Sequence, residues 1–504
     1  MSTSNDSAME SSVLVGVAGV LEFKDGWPLS WRIWILLNVS FYNLLGNAFA
    51  AGAPPLFSRI IAELHCTSEE ASQLSTYVLL TLGLSNIFAL PAASLIGKRY
   101  TILISLVMFF VFCLWSGEAT TFNDLRTSRI LGGLAGGLVE ALGPSFVEEA
   151  FPNEQLASAM VVYVGLLAAG SSIGPIISGL VADGTGDWRW YFRILSALIF
   201  ITFVGSLIML PETRADSPKT AEVELNPVIT EDNPKGLPLS PTYAEVENAN
   251  QQGFPGPREL RKQWRLRSFS TAYVDMDWKL AASSLFQPFQ LLGAPQVIVT
   301  TLVFGLTIGW TVLVSILLSV VYSPPPLLWS ARDVGLLSVG PLVGLLIGLP
   351  IGGALADYLF NRATRRNGGK QDPASRLPAV IIGGLVSPAG CLVIGYGLAS
   401  PEKWAQVSVG YGMLATGLTC SANVLLTYAV DTMPPRASHI GVLVNLIKNS
   451  VGFGVSYAAT SWMAQAGPVT QFGTMAGILW AVYLLVIPLY FFSDTVIRKT
   501  VFLA

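Results

Sequence analysis

The sequence predicts an all-α polytopic membrane protein, with twelve transmembrane helices in two pseudo-symmetric six-helix halves. Three observations predict it. Of the 504 residues, 52% are hydrophobic and only 12% are charged, about half the charge of an average soluble domain. Apolar runs on the order of 20 residues, the length a helix needs to cross a bilayer's hydrocarbon core, recur along the chain. One long polar segment divides those runs six and six.

The first 30 residues, opening "MSTSNDSAMESS", hold acidic side chains and a weak apolar run, without a signal peptide's basic start and small-residue cleavage site. They read as a cytosolic tail, residues 1–30. Hydropathy then places spans at 33–55, 74–96, 100–118, 124–147, 156–182 and 189–210, an N-terminal bundle over 31–211. Residues 212–296 include "PETRADSPKTAEVELNPVITEDNPKGLPLSPTY", too polar to bury a core of its own, so a cytosolic linker is expected there. Its stretch "PRELRKQWRLRSF" interleaves cations with Trp264, Leu266 and Phe269, which suits a solvated linker or an anionic membrane surface. Six further spans, at 297–322, 334–357, 377–399, 403–430, 438–465 and 472–493, make a C-terminal bundle over 297–495. A cytosolic tail, 496–504, follows.

Cations orient the bundle. Lys98, Arg99, the linker, and Arg362, Arg365, Arg366, Lys370 and Arg376 fall on one side, against scattered Arg59, Arg332 and Lys403 on the other. By the positive-inside rule both termini are cytosolic. The two halves also repeat weakly: span two ends in "LPAASLIGKR" and span eight in "LPIGGALADYLFNRATRR". Transporters built from such repeats hold substrate at the midplane between them.

Several classes are excluded. A net charge of −3 argues against a nucleic-acid partner. Cys66, Cys113, Cys391 and Cys420 show no CxxC spacing and read as packing residues. There is no GxxxxGK[ST] loop for ATP; "GGKQD" at 368 lacks it. Only His65 and His439 exist, and no HExxH, so neither an enzyme nor a metal site is expected. No cofactor is expected, and the energy must come from a gradient.

Within the spans, "AAGSSIGPIISG" at 168–179 is conspicuous, because in a helix each glycine costs roughly 1 kcal/mol and a proline about 3. Gly170, Gly174 and Gly179 remove side chains so that a neighbouring helix can approach, and Pro175 bends the helix. A generic tight contact would use the same residues. In span four, Arg129 and Glu140 lie eleven positions apart, nearly on one face and roughly 16 Å apart along the axis, with Gly133, Gly136 and Gly143 close to that face. An ionisable group at membrane depth needs water or a partner, so Glu140 is expected to face the central cavity. There it can bind and release a proton, or it can serve as a fixed partner for a cation.

Such a cation is present in span eleven, where "NLIKNS" sets Asn445, Lys448 and Asn449 on one helical face. Lys448 can pair with Glu140 across the halves, join a gating ion pair, or meet an anionic group of substrate. Span one adds Asn43 and Asn47 one turn apart, near Asn38 and Tyr42; span ten adds Asn423 and Tyr428, and span seven Trp310. Amides and aromatics suit a cavity for an amphipathic organic substrate, or hydrogen bonding between helices.

Five stretches, "RILGG" from Arg129, "GSSIGPIISG" from Gly170, "DWRWYFRI" from Asp187, "LPETR" from Leu210 and "GGALADYLFNRATRRNGGKQDPASRL" from Gly352, together resemble the major facilitator superfamily. The likeness is to its fungal twelve-span drug:proton antiporters. The resemblance implies alternating access, small organic substrates such as drugs or secondary metabolites, and proton-coupled efflux by a monomer in the plasma membrane. A vacuolar location, proton symport of a nutrient or polyamine, and a non-transporting sensor are the alternatives. It makes the span-five stretch the antiporter motif, with Ser178 in place of one glycine and Val161 of another. It makes Arg129 the span-four arginine implicated in proton coupling, with Gly132 where the family has Gln. It makes Gly353, Asp357, Arg362, Arg365 and Arg366 a cytosolic latch, of which the first half keeps Gly97, Lys98 and Arg99, with Ser94 where the family has Asp.

Overall fold

The computed structural model describes residues 28–151, 153–211, 278–366, 373–433 and 436–500. The N-terminal tail and the Trp264 stretch lie outside the described residues. Ten apolar helical runs cross the membrane singly: Leu29–Leu64, Ser68–Ile96, Lys98–Gly117, Phe122–Ala150, Ala159–Thr185, Arg189–Met209, Pro295–Tyr322, Ala331–Arg366, Pro373–Leu398 and Pro401–Thr432. These are spans one to ten. The eleventh run, Ala437–Phe491, is 55 residues long, twice what a bilayer needs. It breaks at Gly467, whose φ of +76° and ψ of 160° leave the helix; glycine takes that conformation freely and Pro468 begins the next helix. The run is therefore spans eleven and twelve.

Successive spans alternate in direction. The face at which spans one and seven begin is called the near face, and its opposite the far face. At the far end of span one, helix Leu29–Ala51 gives way at Gly52 to a 3-10 turn, Pro54–Leu56, and then to helix Phe57–Leu64. Two consecutive prolines there withhold N–H groups from the helical ladder.

Residues expected as linker differ in one part. Trp278–Gln290 is a helix, packed against spans two and eleven. "WKLAASSLFQPFQ" has apolar residues at three- and four-residue spacing, a local pattern that the segment's average polarity conceals. Residues expected as the start of the C-terminal tail likewise belong to helix Ser493–Thr500.

Two large apolar clusters are buried, one drawn mainly from Ile35 to Leu210 but reaching Ile316, Ala331 and Val442 of the second half, the other from Val299 to Leu489. The halves meet where span five packs on span eight and span two on span eleven. Large apolar side chains such as Ile201, Leu346 and Leu385 stay exposed on the outside of the bundle. In water such a belt would be an aggregation surface; in a bilayer it faces lipid.

Candidate functional site

Glu140 joins the two halves. Its Oε2 accepts from Lys448 Nζ at 3.2 Å and from Asn449 Nδ2 at 3.0 Å, and its backbone carbonyl accepts from Asn445 Nδ2 at 3.0 Å. From its own half, Asn47 Nδ2 reaches Oε1 at 3.4 Å and also donates to the Asn43 carbonyl at 3.1 Å. Lys448 Nζ lies 5.5 Å from the ring centre of Phe304 in span seven, within cation–π range. Removing such a pair from water is tolerable only with this degree of hydrogen bonding. Three polar side chains of one span-eleven face thus converge on Glu140, two on its carboxylate and one on its backbone carbonyl.

Close helix approach makes this possible. A Cβ on Gly137 would stand 2.6 Å from the Leu82 carbonyl, and one on Gly83 would stand 3.1 Å from the Leu446 carbonyl. Span four therefore lies directly on span two, and span two on span eleven. Gly143 leaves room for Tyr163, whose hydroxyl donates to the Val139 carbonyl at 3.0 Å. On the far side, a narrow gap between the halves is lined by Ala51, Pro54 and Val312 together with Ser75, Ser171, Thr311, Ser315 and Tyr411.

The span-five glycines act at two interfaces. A Cβ on Gly170 would lie 2.3 Å from the Leu44 carbonyl, and one on Gly174 2.8 Å from Ala48 Cα, both in span one. One on Gly179 would lie 2.3 Å from the Ala331 carbonyl in span eight, and one on Gly335 2.5 Å from the carbonyl of Pro175. The stretch thus seals span five to its own half and, a turn later, to the other half.

Residues 36–456 match the sequence pattern of the Major Facilitator Superfamily. The chain belongs to the Major Facilitator Superfamily. It is 24% identical to Protein HOL1 of Saccharomyces cerevisiae, over 93% of this chain and 88% of that protein. It is also 24% identical to "Probable efflux pump mfs2" of Aspergillus flavus, over 79% of this chain and 87% of that one. Among solved structures, the superfamily's proton:xylose symporter XylE, bound to 6-bromo-6-deoxy-D-glucose, aligns over 93% of this chain and 96% of its own with a TM-score of 0.58 and 14% identity. The likeness to XylE is one of fold.

Arg129, eleven positions before Glu140 in span four, has its own set of partners. Its Nε donates to the Leu74 carbonyl at 2.8 Å and its Nη2 to the Phe49 and Ala50 carbonyls at 2.9 and 3.3 Å. The guanidinium lies 4.8 Å from the Phe49 ring centre and 5.3 Å from that of Phe192. Arg129 caps the carbonyl end of helix Leu29–Ala51, where the helix dipole is negative, and among the described residues no acidic side chain is a hydrogen-bond partner of it.

At the near face the superfamily's latch residues pair within halves. Lys98 pairs with Glu149. Arg99 donates to the Leu210 carbonyl at 2.6 Å and the Leu207 carbonyl at 2.8 Å, holding the end of span six. Gly97, at φ +86°, makes the turn between spans two and three. In the second half Arg376 takes both carboxylates, Asp431 at 3.0 Å and Asp357 at 3.9 Å, while Arg365 and Arg366 are exposed. Gly353 sits in the π-helical turn Ile351–Leu355 that interrupts span eight.

The other expected residues are scattered. Tyr428 shares a 3.0 Å hydrogen bond with Ser493, and Asn38 accepts from Ser206 at 2.6 Å. Trp310 Nε1 and Asn423 Nδ2 are buried without a hydrogen-bond partner among the described residues. Sequence reasoning missed Phe304, the far-side gap, and Arg376 as the ion-pairing cation of the second half's near face. Phe304 has no signal of its own in an apolar span; the Asp357–Arg376–Asp431 set is spread over 75 positions, which no spacing rule joins.

Proposed function

We propose that this chain is a proton-coupled exporter of small organic molecules that works by alternating access. The observation that carries the reading is the buried Glu140–Lys448 pair joining the halves. Protonating Glu140 removes its charge and leaves Lys448 uncompensated. Breaking a buried pair in this way is worth about 3–5 kcal/mol, and reversing a two-state population from 1:99 to 99:1 takes about 5.5 kcal/mol. One proton on Glu140 is thus of the right size to shift the halves between states.

In the cycle, ionised Glu140 holds the halves together at the midplane, and its protonation frees span eleven to move with the second half. The amides of Asn47, Asn445 and Asn449 are then released to hydrogen-bond a substrate. The span-five glycines at the far-face seam set how closely the halves shut. Cation bias makes the near face cytosolic, so substrate enters there and protons enter from the far face. The reading of efflux is supported by the relative named as an efflux pump and by the span-five stretch; a plasma-membrane location and action as a monomer belong to the same proposal.

The ion pair itself is indifferent to direction and serves equally in symport, the second reading, which is the activity printed for the structural neighbour XylE. Proteoliposomes under an imposed pH gradient, screened with lipophilic drugs, polyamines and amino acids, separate the two. Substrate movement against the proton flow supports export; movement with it assigns uptake. A non-transporting sensor would move none of them.

A further inference from the structure

We infer that helix Trp278–Gln290 is a membrane-surface element whose aromatic stripe enters the phospholipid leaflet at the near face. At about 100° per residue, its surface divides into three sectors. Ala281 and Pro288 are buried, on the side that packs against spans two and eleven. Next round the helix come Trp278, Ala282, Phe286 and Phe289, all exposed, with Trp278 at 68% and Phe286 at 71%. The remaining sector holds Lys279, Ser283, Gln287 and Gln290, with a 2.7 Å hydrogen bond from Gln287 Nε2 to Ser283 Oγ along it. A helix docked only on protein has no use for a third, apolar, uncovered sector beside a polar one.

Position names the occupant. The helix runs through Leu291–Gly293 directly into Pro295, the first residue of span seven, so it lies at the level where the lipid-facing belt ends. Leu29, Ile33 and Trp34, at the beginning of span one, are exposed at the same face. Aromatic side chains with a neighbouring lysine are what the headgroup boundary accepts. Because spans two and eleven belong to different halves, the helix also sits astride their seam, and relative motion of the halves carries it across the leaflet.

Site-directed spin labelling tests this on the full chain in phosphatidylcholine–phosphatidylglycerol vesicles. The four native cysteines are buried, so labels report the introduced sites: Phe286→Cys and Phe289→Cys on the stripe, Ser283→Cys and Gln290→Cys on the polar sector, and Leu346→Cys in span eight as a lipid-facing reference. Stripe labels are expected to collide with oxygen in the manner of the Leu346 label and to be shielded from a water-soluble nickel chelate, with the polar-sector labels showing the reverse. Stripe labels open to the chelate, or shielded from both reagents as in a protein–protein contact, would overturn the inference. The readout is independent of transport, so it stands or falls apart from the proposed export.

Discussion

The ammonium of Lys448 lies 3.2 Å from Oε2 of Glu140 across 308 residues of sequence, and both side chains are 1% exposed. Spans four and eleven are thereby joined at the midplane by their charges as well as by packing. Each charge is tolerable only while the other is present, and in the proposed cycle the pair is the switch that a single proton throws.

Lys448→Met alone should therefore destabilise the protein by about 3–5 kcal/mol, because it strands a buried carboxylate. The double variant Glu140→Gln with Lys448→Met should recover most of that loss, since amide and thioether can pack without charge. Thermal unfolding of the purified variants, read as a double-mutant cycle, measures it. Strictly additive losses would show that the two side chains do not interact.

At Gly174 the Cβ of any other residue would meet Ala48 Cα at 2.8 Å. Gly174→Leu should give a folded, membrane-inserted protein whose transport is lost because span five stands off span one. Size-exclusion behaviour together with substrate flux checks this. Normal flux would remove the glycine from the mechanism.

Arg129 holds carbonyls rather than a carboxylate, so its loss should appear in stability before coupling. Arg129→Lys keeps the charge but presents a compact ammonium that cannot span carbonyls of spans one and two together. A loss of about 1–3 kcal/mol is expected for each buried group left unsatisfied, with the ratio of substrate to proton movement unchanged in the folded fraction. An altered ratio would restore Arg129 to the proton path.

At the far face, hydrogen bonds from Arg193 hold the Glu118 carboxyl below its ordinary pKa. A group depressed on folding stabilises above its unfolded pKa and loses that contribution as pH falls through its folded value. Thermal stability should accordingly fall on acidification, slightly less steeply in Glu118→Gln. The pair is exposed, so high salt should abolish the difference.

Most of the fold was legible because each span must be apolar over bilayer length, and that requirement is written in consecutive residues. Helix Trp278–Gln290 was missed because its signal is thirteen residues inside a polar segment. For the site, Glu140 and Lys448 were both legible as charges at membrane depth, and their pairing was one of three roles open to Lys448. For Arg129, helical geometry gave its position relative to Glu140, but its partners, the carbonyls of Phe49, Ala50 and Leu74 on neighbouring spans, are reported by no periodicity. Phe304 and Arg376 owe their roles to tertiary neighbours alone.

The most direct measurement is a comparison of wild type and Glu140→Gln in proteoliposomes, using whichever substrate the flux screen identifies. Two modes are followed: exchange of labelled for unlabelled substrate without a gradient, and accumulation driven by a pH gradient. If Glu140 carries the coupling proton, the variant should retain exchange and lose accumulation. Gradient-driven accumulation at the wild-type level in Glu140→Gln would contradict the account, leaving the Glu140–Lys448 pair a structural tie and placing the proton elsewhere.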